Sequence, residues 1–241
     1  MTLPTYSQRH LDPALATAYA SKFERNLLRR LSNRRETKIV VRAIEIALGW
    51  LAKNGVPRDQ ATLLDCPCGA GRFSAHAAMR VAHYIAGDHS PHMVELTIAA
   101  LRQNGLGERI VSTVTGDARN LPMAQKAANI TLSMRLLHHF ADRSDRSRIL
   151  QELRRVTDGP LVTSFLDAES WKQRRHVARI TRLGQNSRRV LLSMADFAAE
   201  AGAVGWQVAD SWPLSSVFSG QRVVLCLPSS GELKPQGGAF G

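Results

Sequence analysis

Apolar and polar positions along this chain run in two rhythms. Near the start, Leu11, Leu15, Ala18 and Phe23 recur at roughly helical spacing, and Leu27, Leu28 and Leu31 continue that face. A second helix is predicted over about Lys38 to Lys53, with Val41, Ile44, Ile46, Leu48, Trp50 and Leu51 as its apolar side chains. Asn54-Gly55 stops it and Pro57 follows. The texture then changes to short apolar runs separated by helical segments. Ala61–Cys66, Val81–Ala86, Ile110–Thr115, Ala127–Met134 and Leu161–Leu166 read as strands. Between them, Phe73–Arg80, Pro91–Asn104 and Arg143–Val156 read as helices, the last with Ile149, Leu150, Leu153 and Val156 on one side. The rhythm breaks from Asp167 to Leu191. It resumes with a helix over Leu192–Ala201 and strands at Val204–Trp212 and Arg222–Leu227, which pair as an antiparallel hairpin joined by Pro213–Gly220. Alternation of this kind predicts an α/β fold. Its seven-stranded, mostly parallel sheet reverses its order beside Ala61–Cys66, carries helices on both faces and ends in an antiparallel strand.

The 241 residues suit one domain, with 1–55 as an N-terminal helical extension, 167–191 as an inserted basic segment and 229–241 as a flexible, Gly-rich tail. Hydrophobic residues are 44% and charged residues 22%, a globular composition that needs no staples to build a core. There is no run of 18 apolar residues, and Met1–Asp12 lacks the apolar stretch of a signal peptide. Three cysteines make no disulfide framework, so a reducing, cytoplasmic location is expected. The net charge of +12 favours anionic partners without saying which. It is concentrated: Lys22–Arg42 holds eight basic and two acidic residues, and Lys172–Arg189 holds seven basic and none acidic. Each reads either as a solvated helix face or as a surface around the entrance of an anionic ligand.

The densest chemical signal is Leu63-Leu64-Asp65-Cys66-Pro67-Cys68-Gly69-Ala70-Gly71-Arg72, a strand running into a small-residue turn and then a helix. Glycines there let backbone approach a ligand, and open α/β sheets bind ligands at the carboxyl ends of their strands. No Gly-Lys-Ser/Thr follows, which excludes a phosphate-binding P-loop, and Pro67 stands where the dinucleotide fingerprint has its first glycine. Asp88 ends the second predicted strand, where a carboxylate can accept both hydroxyls of a ribose. Asp117 ends the third, where it can accept an adenine amine while the N–H of Ala118 serves a ring nitrogen. Either acid alone could be a strand-end cap. Three acids at three consecutive strand ends point to a nucleoside.

With those residues in place, Leu63–Leu166 resembles the class I S-adenosylmethionine-dependent methyltransferases, a Rossmann-like three-layer sandwich. Leu63–Phe73 is similar to that family's first motif, and Gly87-Asp88-His89-Ser90-Pro91-His92-Met93 to its second. Gly116-Asp117-Ala118 with Leu121-Pro122 resembles the adenine motif, and Met134–Phe140 the segment after the fourth strand. Glu152–Val156 before Gly159 is similar to the small-molecule branch. The resemblance implies a cofactor site of Asp65, Cys66, Pro67, Cys68, Gly69, Gly71, Arg72, Asp88, His89, Met93, Gly116, Asp117, Ala118 and Met134. Within it, Asp65 would orient the turn, Asp88 would take the ribose, and Met93 would lie near adenine. Pro67 departs from the family's usual glycine and removes one backbone donor.

Cys66 and Cys68 raise the idea of a C-x-C metal pair, but no third and fourth ligand lie nearby and no metal is expected. His138 and His139 follow the fourth strand, where the methyl acceptor belongs. Either could serve as a base, His138 being the better candidate, or could cap and pack the strand end. Arg135 could bind an acceptor carboxylate or hold the loop. These residues predict methyl transfer from S-adenosylmethionine, leaving S-adenosylhomocysteine, to an O or N atom of a small anionic acceptor or of a headgroup near an anionic surface. An RNA methyltransferase is the alternative that the charge supports. Against it, the Asn/Asp-Pro-Pro-aromatic signature for base amines is missing: the fourth strand ends in Leu132-Ser133-Met134-Arg135. A noncatalytic cofactor-binding scaffold is a third reading, which the intact acids disfavour.

Overall fold

A computed structural model describes residues 27–183, 189–215 and 219–229. The helix expected over Leu11–Phe23 and nearly all of the 229–241 tail lie outside the described residues, as do residues 216–218 between the last two strands. The elements in chain order are α1 (Leu27–Lys53), β1 (Thr62–Asp65), α2 (Ser74–Ala78), β2 (His83–Asp88), α3 (Pro91–Gln103), β3 (Ile110–Thr115), β4 (Ile130–Ser133) and α4 (Arg143–Val156). They continue with β5 (Leu161–Leu166), α5 (Trp171–Arg182), α6 (Met194–Gly202), β6 (Trp206–Ser215) and β7 (Ser219–Pro228).

All seven strands among the described residues join one sheet in the order β3-β2-β1-β4-β5-β7-β6. The first five pair in parallel, and β7 runs antiparallel to both β5 and β6. The order reverses between β1 and β4, beside the strand that carries Asp65. Strand residues alternate between the two faces. Leu63, Ile130, Leu132, Val162 and Val223 pack with Val40, Ile44, Leu48 and Leu51 of α1 and with Val94 and Leu101 of α3. Leu64, Ile85, Leu161, Phe165 and Val224 turn to the other side and meet Ile149, Leu150 and Leu153 of α4 and Phe197 of α6. Two apolar layers therefore sandwich the sheet, and Phe165 stacks on Phe197 at 4.8 Å. On the second face, Arg146 of α4 donates to buried Glu200 of α6 at 2.5 and 2.9 Å, so these neighbouring charges satisfy each other away from water.

Several expectations need correction. The helix predicted from Lys38 is continuous with the turns before it and starts at Leu27, and its Glu36 forms a buried ion cluster with Arg72 and Arg135. Strand β1 and the helix after the glycine turn are shorter than predicted, β2 lies two residues later, and β3 has the predicted bounds. Strand β4 covers only Ile130–Ser133: Lys126 at φ 55° breaks the extended run before it. The segment from Asp167 holds a helix, α5, capped by Ser170, whose hydroxyl accepts from the Gln173 N–H. The helix predicted from Leu192 starts at Met194, behind a capping box of Ser193 and Asp196. Strands β6 and β7 run through Pro213 and Gly220, which the sequence reading placed in the connection. By contrast, α4 and β5 have the predicted bounds.

Candidate functional site

The reversal of strand order leaves a crevice at the carboxyl ends of β1 and β4. Asp65 is the last residue of β1 and is buried. Its Oδ2 accepts from the Tyr84 hydroxyl at 2.6 Å and from the Ser74 hydroxyl at 2.9 Å. Burial pushes its carboxyl up to about 7, against the two hydrogen bonds that favour the charged form. Asp65 thereby ties β1 to β2 and to the first residue of α2, and so holds both ends of the turn between them. Neither Tyr84 nor Ser74 stood out in the sequence, because their contacts depend on strand pairing.

That turn runs from Cys66 to Phe73. The Cys68 N–H donates to the Gly87 carbonyl at 2.8 Å, and the Gly69 N–H donates to Asp88 Oδ2 at 2.9 Å. Gly69 and Gly71 have φ of +55° and +77°, the left-handed region that other residues enter at a cost. A Cβ on Gly71 would lie 3.3 Å from both Cα and Oγ1 of Thr97, whereas one on Gly69 would meet no atom within 4 Å. The hydroxyl of Thr97 on α3 donates to the Gly69 carbonyl at 2.9 Å. The turn is thus braced from α3 on one side and open at Gly69 on the other. Cys66 and Cys68 are buried, and burial raises both thiols well above their ordinary value. They pack as small apolar residues. Among the described residues, no group of His, Cys, Asp and Glu is placed to hold a metal ion.

Asp88 ends β2, nearly buried, with Oδ1 accepting from the Ser90 N–H at 3.0 Å and Oδ2 from Gly69. Its carboxylate is fixed in place by backbone on two sides, and an anionic carboxyl retains further lone pairs. Asp117, two residues past β3, is placed differently from expectation. Both its oxygens are engaged by Arg119, through Nε at 3.1 Å and Nη2 at 2.6 Å, and Arg119 reaches on to Asp145 at 3.0 Å. The guanidinium holds the Asp117 carboxyl below its ordinary value. Ala118 is buried beside it, Gly116 packs against Pro122, and His89 is exposed on the turn after β2. Met93 and Met134 are buried, part of the core around the crevice.

After β4, the chain turns at Arg135, a non-glycine residue with φ 61°. Its N–H donates to the Ser164 hydroxyl of β5 at 2.9 Å. Its guanidinium donates to Glu36 of α1 at 3.0 and 2.5 Å. Of the two roles considered for Arg135, the geometry matches loop anchor. Glu36 is fully buried and also pairs with Arg72, which further donates to Asn33 at 2.9 Å. One acid on α1 thus joins the turn after β1 to the turn after β4. This residue was passed over in the sequence, where it is one of two acids in a basic stretch. Beside it, a cleft of about 740 Å³ is lined by Asn33, Arg34, Arg35, Lys38, Arg72 and His76.

His138 and His139 follow in a short 3-10 turn, with ring centroids 4.1 Å apart. His138 is nearly buried. Burial, aided by His139, Arg189 and Arg135, pushes its imidazole down to about 2. Its Nδ1 has no hydrogen-bond partner among the described residues. A neutral ring of this kind can accept or donate a hydrogen bond but is a weak base, which departs from the expectation of a base near neutral pH. His139 is half-buried beside it.

Comparison with known proteins agrees with this geometry. The profile of a methyltransferase domain family matches residues 63–158, from β1 through α4 to the residue before Gly159. No curated protein matches by sequence. Among solved structures, magnesium protoporphyrin IX methyltransferase from Synechocystis PCC 6803, with bound S-adenosylhomocysteine, is similar at a TM-score of 0.65 and 19% identity, over 85% of this chain and 88% of that one. A pyocyanin biosynthetic protein is similar at 0.54 and 18% identity, over 70% and 50% of the two chains. A [4+2]-cyclase is similar at 0.57 and 16% identity, over 71% and 75%. Such structural likeness speaks for the fold, and the cyclase is a reminder that the fold alone does not set the reaction. Residues 63–158 thus match a methyltransferase domain family, and the strand order of the whole sheet is the fold that the similar solved structures share.

Proposed function

We propose that the protein transfers a methyl group from S-adenosylmethionine to an O or N atom of a small anionic acceptor. The observation that carries this reading is the convergence, at one end of the sheet, of the open turn at Gly69 with Asp88 and the paired histidines after β4. The cofactor supplies an electrophilic methyl on a sulfonium. Asp88, pre-set by the Gly69 and Ser90 N–H groups, would receive the ribose hydroxyls. Gly69 and Gly71 would bring backbone against the methionine end, and the Ala118 N–H would serve the adenine. Asp117 would share its carboxylate between the adenine amine and Arg119.

The acceptor would approach past His138 and His139. Because His138 stays neutral, its part is to orient the acceptor by a hydrogen bond through Nδ1, with positioning as the main source of rate. Any proton lost by the acceptor would pass to solvent or to His139. The basic lining formed by Arg34, Arg35, Lys38 and Arg72 supports an acceptor bearing carboxylate, phosphate or phenolate. The test is transfer of radiolabelled methyl by the purified protein, run in parallel on small-molecule and RNA extracts. Label is expected in the small-molecule fraction and reduced by His138→Ala. Label confined to RNA would overturn the acceptor class, and no transfer to either would overturn the enzymatic reading.

A further inference from the structure

Helix α5 is not accounted for by the site. Of its twelve residues only Gln173 and Ile180 are buried, seven positions apart on one face. Gln173 packs so closely on β7 that a Cβ at Gly220 would lie 2.3 Å from its Nε2. The opposite face is a stripe at steps of four, four and three: Trp171, Arg175, Arg179 and Arg182, with Leu183 just beyond the last turn. Trp171 is 49% exposed at one end and Leu183 62% exposed at the other, about 18 Å apart at 1.5 Å per residue. Arg175 lies over the Trp171 ring at 4.4 Å. Arg174, Arg175, Arg179 and Arg182 form no ion pair among the described residues, and no acid occurs from Lys172 to Arg189.

A solvated helix face ordinarily interleaves both signs of charge, and it rarely carries an exposed indole and an exposed leucine on the same stripe. A cationic stripe bracketed by apolar side chains matches the chemistry of an anionic bilayer surface. Guanidinium groups meet lipid phosphates while Trp and Leu enter the headgroup boundary. We infer that α5 docks the protein on anionic membranes, with Trp171 and Leu183 as apolar contacts and Arg175, Arg179 and Arg182 as phosphate contacts. A nucleic acid would use the same cations but would leave Leu183 without a role, so the stripe favours lipid. Because α5 directly follows β5, docking would hold the ligand-side edge of the sheet against the bilayer. The inference stands apart from the methyl-transfer reading, since binding is measured without turnover.

The experiment is co-sedimentation of the full chain with vesicles of phosphatidylglycerol and phosphatidylcholine in equal parts, and with phosphatidylcholine alone. Binding to the mixed vesicles only, weakening with added salt, is expected. Each basic group near such a surface strengthens partitioning about fivefold, so Arg175→Gln with Arg179→Gln should weaken it about 25- to 30-fold. Trp171→Ala should weaken binding at high salt, where the apolar contact dominates. All three side chains are exposed, and an unchanged melting temperature confirms that the variants fold. Equal binding to neutral vesicles, undiminished binding by the double variant, or no binding by the natural chain would overturn the inference. So would a labelled single-stranded RNA that binds more tightly than the vesicles and is lost in the same variant.

Discussion

Replacing Glu36 by Gln tests whether the N-terminal helix clasps the site. The substitution keeps the shape of the side chain and removes its charge, leaving the guanidinium groups of Arg72 and Arg135 facing each other without an acid between them. Taking one partner from a buried ion pair costs about 3–5 kcal/mol when nothing compensates. Here the side chains of Arg72 and Arg135 keep 19% and 31% exposure, so water recovers part of the loss. A cost of about 2–3 kcal/mol is therefore expected. At about 2.1 cal/mol/K of unfolding entropy per residue, a chain of this length shifts by one degree for about 0.5 kcal/mol, so melting should fall by roughly 4–6 °C. Arg72 follows Gly71, and Arg135 follows Met134, so the same change loosens turns on both sides of the crevice. If reordering them costs about 1 kcal/mol, calorimetry should show S-adenosylhomocysteine binding about fivefold more weakly. A variant that melts within about 1 °C of the natural protein and binds equally well would refute the clasp, because a buried acid with two partners cannot be neutral in effect.

Three further outcomes are expected. Asp88→Ala should weaken S-adenosylhomocysteine binding about 10- to 100-fold by calorimetry, the worth of about 1.5–3 kcal/mol for hydrogen bonds to a charged group; equal binding by the folded variant would contradict the ribose role. Gly71→Ala puts a methyl group 3.3 Å from Thr97 at φ +77°, so a strain of about 1–2 kcal/mol should lower melting by roughly 2–4 °C, and an unchanged melting curve would count against a braced turn. Burial raises Asp65 from its ordinary 3.8 to about 7, so the folded state holds a proton that the unfolded chain releases. The stability this contributes is complete below pH 3.8 and is lost as pH rises to about 7. Relative to Asp65→Asn, the natural protein should lose up to about 1.4 kcal/mol per pH unit across that window in denaturant titrations, and a pH-independent difference would refute the raised carboxyl.

The central strands were legible because they are buried on both faces and read as short, mostly apolar runs, unlike the largely exposed β3 and β6. Leu161–Leu166 is the clearest, with every residue buried. Helix α4 was equally plain, since its apolar positions fall on one side and Asp142 caps its start. The acids proposed for a nucleoside stood out for a local reason: Asp65 and Asp88 end strands, and Asp117 lies two residues past one. What stayed hidden depends on contacts between distant residues. Glu36 meets Arg135 across 99 positions of chain, and no local pattern marks an acid that will be buried against two arginines. Helix α1 likewise runs unbroken through Ser32-Asn33-Arg34-Arg35, which gives no apolar period to announce it. Arg119 lies beside Asp117 in sequence, but whether it covers the carboxylate or leaves it open is a matter of rotamer. The neutrality of His138 is set by its burial in the folded chain, where distant residues meet it: the Val190 N–H donates to its carbonyl at 3.0 Å.

The position of β7 bears on how the molecule is made. It is the last strand among the described residues, yet it lies inside the sheet, between β5 and β6. During synthesis, β1 through β5 can assemble on the emerging chain, but β6 then has no neighbour to join until β7 has cleared the ribosome. Until that moment β5 presents an open edge lined by Leu161, Val162 and Phe165, the kind of edge that recruits strands from other nascent chains. A stop codon that removed β7 would also strand β6. The protein would then lose two strands at once, along with the seat of α5 at Gly220 and the Asp167–Arg222 bridge that closes the end of β5.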